Sequence, residues 1–219
     1  MSNRPTNRTP FHLRDAGFSL MELMVTLAFV ATIAAIALPQ MARAIAFERL
    51  NGAIRSLSNS TSLAKTKAGA QFTRARLFID RGANSYHLET CVPVVGAIPA
   101  RCNWTPDGGT TFLPVNVTFN FAPVGTPPAN TQAAINHAPP CLDNQLIRAA
   151  IANTSCIVFN SRGIPIADDP APAANGGPTT ADAVYITDGS AVLAVTVTAT
   201  GLIGVWNTQP TPVPLWKIA

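Results

Sequence analysis

The stretch Gly17-Phe18-Ser19-Leu20-Met21-Glu22-Leu23, GFSLMEL, opens an apolar run over residues 18–38 in which Glu22 is the sole charge. About 20 apolar residues at about 1.5 Å rise match a hydrocarbon core of about 30 Å, so the run is long enough to cross a bilayer as one helix. A carboxylate at that depth costs roughly 2.5 kcal/mol or more, and no basic side chain lies inside the run to offset it. Glu22 is therefore a functional residue by default, in need of a cation from elsewhere.

Arg4, Arg8 and Arg14 precede the run against one acid, Asp15. Basic flanks stay cytoplasmic, which directs the chain after residue 38 outward. The cysteines agree: Cys91, Cys102, Cys141 and Cys156 lie far downstream, without the close Cys-x-x-Cys pairs of a zinc site. They fit two disulfides in an oxidising compartment. Pairing Cys91 with Cys102 and Cys141 with Cys156 closes two short local loops; the other two connectivities stay open on sequence alone.

The chain has 219 residues, of which 47% are hydrophobic and 12% charged, with formal net charge +4. Beyond the apolar run it is long enough for one modest domain. Nineteen prolines and fourteen glycines, mostly in the second half, favour strands and long turns over a helical bundle. An ordinary secretory signal with cleavage near Ala42-Arg43-Ala44 is an alternative, which would release a periplasmic protein. The run is longer than such signals use and carries an acid near its start.

GFSLMELMVTLAFVATIAAIALP resembles the N-terminus of type IV pilins and pseudopilins: Gly17 before the cut, Phe18 as first mature residue, Glu22 as the fifth and Pro39 as the twenty-second. The resemblance implies that a prepilin peptidase cleaves between Gly17 and Phe18, that the new Phe18 amine is N-methylated, and that Glu22 faces the amine of a neighbouring subunit. The expected organisation is a leader over residues 1–17, a transmembrane and assembly helix over 18–38, an amphipathic stalk helix over 39–70 and a periplasmic β-rich domain over 71–219. The implied protein is a single-pass inner-membrane subunit, held by inner-membrane lipid until it joins a filament. Its partners would be the peptidase and other pilin or pseudopilin subunits; a type II secretion system and a type IV pilus use the same N-terminus.

After Pro39, expected to kink the helix rather than end it, Phe47, Leu50, Ile54, Leu57, Thr61, Ala64 and Ala68 recur at alternating spacings of three and four. They mark one apolar stripe to pack on the domain, with Gly69 as the stop. Strands are expected over residues 74–79, 86–92, 115–121, 156–160, 183–187, 192–199 and 202–206, several with the alternation of half-buried antiparallel strands. ITDGSAV and TATGLIG each place a glycine between β-prone runs and read as hairpins. The expected fold class is α+β: a long N-terminal helix on a small antiparallel β-sandwich or folded sheet. Turn-rich stretches over 93–114, 122–140 and 167–181 exceed ordinary loop lengths.

The passages SLAKTKAGAQFTRARLFI, IVFNSRGIPI and VTVTATGLIGVW resemble the GspH/FimT group of minor pseudopilins and minor pilins. Members proposed to bind DNA carry arginines after the glycine of the final hairpin, whereas Gly201 here is followed by Leu202, Ile203 and Gly204. Nucleic acid is thus a secondary partner class, with Arg74 and Arg76 as the cations to test for a DNA-uptake role. Residues 40–81 hold eight basic residues against two acids, and residues 82–219 four against seven. Arg43, Arg49 and Arg55 read as a solvated helix face near anionic headgroups.

No catalytic constellation, metal site or cofactor site emerges. His12, His87 and His137 are scattered; Asp168-Asp169 lacks a calcium-loop series; Gly176-Gly177 lacks the Lys-Ser/Thr of a phosphate loop. The implied role is structural rather than enzymatic.

Overall fold

A computed structural model describes residues 19–94, 102–145, 148–167, 176–177, 179 and 181–219. Helix α1 spans Leu20–Ala70 and continues through Pro39. Its start is set by Ser19, whose Oγ accepts the Glu22 backbone N–H at 3.2 Å while its carbonyl accepts that of Leu23 at 3.1 Å. Its end is a Schellman closure: the N–H of Thr73 donates to Ala68 O and that of Phe72 to Gly69 O, at 3.2 and 3.3 Å. The left-handed position of that closure is Phe72, at φ 50°, with Gly69 still inside the helix.

The chain divides into two units, Met1–Ile45 and Ala46–Ala219. In the first, the described side chains of α1 are exposed apart from the half-buried Ala34. In the second, α1 enters the core with two antiparallel sheets, giving an α+β class.

The first sheet contains β1 (Ala75–Asp80), β2 (Ser85–Pro93), β3 (Cys102–Pro106), β4 (Thr111–Phe112) and β5 (Thr154–Phe159). Its order is β3-β2-β1-β5, with β4 also pairing β2. The second contains β6 (Ala181–Thr187), β7 (Val192–Thr198), β8 (Ile203–Thr208) and β9 (Lys217–Ile218) in chain order. The β6–β7 and β7–β8 connections are the two hairpins read at ITDGSAV and TATGLIG, with Gly189 and Gly201 at positive φ.

One core joins both sheets to the helix. Leu50, Ile54, Leu57, Ala64 and Ala68 of α1 meet Leu77 and Ile79 of β1, Ile157 and Phe159 of β5, Val184 and Ile186 of β6 and Leu193 and Val195 of β7. The register places Leu77 opposite both Leu88 and Ile157, so every second residue of β1 faces the helix. Phe47 departs from the expected stripe and is 48% exposed, whereas Ala53, not counted in the stripe, is buried.

The reverse face of each sheet is covered too. Phe78, Trp104, Val158 and the four cysteines form a second apolar layer, and Phe121, Val124, Tyr185 and Trp216 a third. Strands β5, β6 and β7 are therefore buried on both faces and carry near-continuous apolar runs rather than alternation.

Two further expectations are corrected. Residues 115–121 form no strand: Val117 and Phe119 alternate into the core, but pairing is limited to one bridge between Thr118 and Thr187, at 2.9 and 3.0 Å. The alternation there reports burial without a ladder. Residues 93–114 are not all turn, since β3 and β4 lie within them. Strand β3 is tied to β2 by the Cys91–Cys102 disulfide, and its edge is satisfied by Asn144, whose amide accepts from Trp104 N and donates to Trp104 O at 2.8 and 2.9 Å. Strand β9 also escaped the sequence reading. Of the 167–181 stretch, most residues lie outside those described.

Replacing Leu57, fully buried, by alanine is expected to cost about 2–5 kcal/mol, read by tryptophan fluorescence in urea on the detergent-solubilised chain. Phe72→Gly is expected to stabilise by about 1 kcal/mol, because glycine removes the steric penalty of the left-handed backbone at a side chain 88% exposed. An unchanged or lowered urea midpoint for that variant would show that the Phe72 ring contributes more than the strain it carries.

Candidate functional site

Two regions hold the charged groups singled out in the sequence: the capped start of α1 and the sheets. Gly17 and Phe18 lie outside the described residues. Ser19-Leu20-Met21-Glu22 has the Ser-x-x-Glu pattern of a capping box, with Glu22 at the third helical position. That pattern escaped the sequence reading, and among the described residues only half of the box forms: Ser19 Oγ caps the Glu22 N–H, with no bond returning from the Glu22 carboxylate. An acid in the first turn gains roughly 0.3–1 kcal/mol from the helix dipole.

Among the described residues no hydrogen bond or ion pair reaches the Glu22 carboxylate. Leu20, Met21, Leu23 and Met24 beside it are exposed. The chemistry is that of an acceptor lacking a donor on an apolar helix, which in lipid is stable only with a cation beside it.

In the domain, Arg76 projects from the face of β1 opposite the helix and is 2% exposed. Its Nε donates to Glu89 Oε2 and its Nη1 to Leu142 O at 3.0 Å, with the guanidinium 4.4 Å from the Trp104 ring and 5.5 Å from that of Phe78. Such a buried pair must satisfy its own charges, because losing one partner costs about 3–5 kcal/mol. Arg76 is therefore occupied internally and presents no cation to a phosphate backbone. Arg43, Arg49 and Arg55 are exposed.

The three passages behind the second resemblance meet at one point. Lys65 Nζ donates to Gly201 O at 2.9 Å. A Cβ on Gly201 would strike Gly163 O, and one on Gly163 would come within 2.9 Å of Lys65 Cε. Both glycines have positive φ, at 79° and 72°. The β7–β8 turn is thus packed against the helix by backbone approach, and Lys65 caps it.

His87 stacks on Phe78 at 4.8 Å, and its Nε2 lies 3.2 Å from Glu89 Oε1, half-buried beside the Arg76 pair. His137 is buried, accepting the Tyr185 backbone N–H on Nδ1 at 3.4 Å. His12, Asp168 and Asp169 lie outside the described residues, and Gly176 sits at a turn with Arg74 beside it. Among the described residues no three His, Cys, Asp or Glu side chains cluster to hold a metal.

The cysteines are joined as Cys91–Cys102 and Cys141–Cys156, both buried in the layer around Trp104. An open groove of ≈ 820 Å³ is bordered by Phe47, β9 and the chain before it.

Two buried groups titrate oppositely. Burial, aided by the charge of Arg81, lowers His137 from 6.5 to about 4. Burial raises Asp182 from 3.8 to about 6, opposed by a hydrogen bond from Thr179. Below 6.5 the unfolded chain takes up a proton that folded His137 refuses, so its stabilising contribution is lost as pH falls toward 4. Folded Asp182 keeps a proton that the unfolded chain releases near 3.8, so its contribution is lost as pH rises toward 6.

The two slopes oppose across that window. Asp182→Asn is expected to raise stability at pH 7 by about 3 kcal/mol and to unmask a fall of about 3 kcal/mol between pH 7 and 4. Urea midpoints measured across that range check it; a variant with the parent's pH profile would refute the assignment of Asp182.

No family model, curated protein or solved structure matches the chain.

Proposed function

We propose that the chain is a structural, non-enzymatic subunit of a type IV pilin-like or pseudopilin filament, of the GspH/FimT kind. The observation that carries this reading is α1 itself. Its first part is long and apolar enough to cross a membrane, is exposed along its length and carries one carboxylate without a described partner. Its last part is the central element of a disulfide-bonded domain.

In this reading a prepilin peptidase cuts after Gly17, Phe18 is methylated on its new amine, and residues 18–38 hold the subunit in the inner membrane with the domain in the periplasm. On assembly the helix leaves bulk lipid for a bundle of like helices. Glu22 then pairs with the Phe18 amine of a neighbour, and a mismatch in axial register would strand both charges in an apolar surrounding. That penalty, roughly 3–5 kcal/mol for an unpaired partner, selects one stagger between subunits. The domain loops choose adjacent subunits or cargo. The internal commitment of Arg76 weighs against DNA capture through β1.

Glu22→Ala is expected to leave the domain's urea midpoint unchanged and to lower incorporation into filaments at least tenfold, about 1.4 kcal/mol. Glu22→Gln, which keeps the shape and loses the charge, is expected to be similarly impaired. Quantitative cross-linking of assembled fractions is the measurement, and full incorporation of either variant would remove the electrostatic role.

A further inference from the structure

The segment 209–216, Gln-Pro-Thr-Pro-Val-Pro-Leu-Trp, has proline at every second position from 210 to 214, which fixes φ at each and makes a stiff strap. It is fastened at two points. The Gly125 N–H donates to Pro212 O at 3.3 Å, where a Cβ on Gly125 would approach that oxygen to 2.9 Å. Trp216 turns inward, its Nε1 donating to Thr126 O at 2.9 Å and its ring 6.0 Å from that of Tyr185.

Between and beyond these fastenings the strap points apolar side chains away from the domain. Val213 is 83% and Leu215 82% exposed, and they border the ≈ 820 Å³ groove together with Phe47 and Lys217. An apolar patch held outward by a rigid, anchored backbone marks a surface built for an apolar neighbour.

The chain identifies that neighbour. Eight residues lie between Leu38, the end of the apolar run, and Phe47 on the groove wall. Even fully extended they reach about 30 Å, so the groove is tethered close to whatever surface holds the run. Lys217 in the lining and Arg49 two residues after Phe47 are exposed cations suited to anionic headgroups. The nearby acid Asp188 is engaged by the N–H and Oγ of Ser190 and the N–H of Ala191; Glu48, beside Phe47, is exposed.

We propose that residues 209–216 form an interfacial membrane contact, with Val213, Leu215 and Phe47 entering the headgroup–acyl boundary and Lys217 meeting lipid phosphate. The proposal rests on the reading of residues 18–38 as a membrane anchor. It adds a second, shallow attachment, which the subunit would have to release on leaving the membrane.

The test uses the full chain in phosphatidylethanolamine–phosphatidylglycerol vesicles containing a lipid with a nitroxide at a shallow acyl position. An environment-sensitive fluorophore is placed in turn at Val213→Cys, Leu215→Cys, Ile33→Cys and Phe72→Cys. The expected result is about twofold or greater quenching at Val213, Leu215 and Ile33, with none at Phe72. Quenching at Ile33 but not at Val213 or Leu215 overturns the strap contact and leaves the anchor intact. No quenching at Ile33 overturns the anchor and this inference together. Self-quenching at Leu215 that rises with protein density, without lipid quenching, assigns the groove to a second copy and also overturns the proposal.

Discussion

The burial of one helical stripe between two sheets is the constraint on which the domain depends. Leu50, Ile54 and Leu57 supply bulk, while Thr61, Ala64 and Ala68 are small, and all six are buried. Thr61 is buried without penalty because its hydroxyl donates to Leu57 O at 2.8 Å, within the helix. Among the described elements α1 is the only helix, and Val117 and Phe119 join it in the core shared by the two sheets. A change of helix register by one residue would turn polar side chains inward.

The first unit of the same helix has a different pattern, long and apolar enough to cross a membrane. The domain buries a single stripe and leaves Arg49 and Arg55 in water; residues 20–45 show no stripe at all, being apolar around most of the circumference. A helix that is apolar all round needs an apolar surrounding on every side. That contrast, more than length, separates the proposed anchor from the part of α1 packed in the domain, and it makes Glu22 conspicuous. The buried Arg76–Glu89 pair shows how this chain treats charge in an apolar layer elsewhere: it supplies the counter-ion, a carbonyl and an aromatic face from its own residues. Glu22 receives none of these from the described chain, and a neighbouring subunit is the source consistent with the proposed assembly.

Much of this was legible in the residues. The apolar run, the stripe from Leu50 to Ala68 and the two hairpins follow from periodicity and from glycines between β-prone segments, all local signals. The missed strands β3, β4 and β9 are five residues or shorter. They exist because long-range ties hold them: a disulfide and the Asn144 amide for β3, and pairing with Trp206 and Asn207 for β9. The residues 115–121 misled for the converse reason, since alternation records which side chains are buried and not whether the backbone is paired. Phe47 fits the stripe by spacing, yet it lies at the groove, where the sheets offer it no cover. The Ser19 cap was missed, although Ser-x-x-Glu was the signal that could have found it. The Arg76 pair had no such signal, because it joins residues thirteen apart across a strand register that sequence does not number in advance.

The assembly account turns on where the mature chain begins, since only a free amine on Phe18 supplies the cation that Glu22 lacks. Intact-mass and N-terminal peptide mass spectrometry of the chain purified from its native membrane measures this directly. The account predicts a single N-terminus at Phe18 carrying one methyl group. A mature chain starting at Ile45, after Ala42-Arg43-Ala44, would contradict it, leaving a released domain with neither anchor nor Glu22.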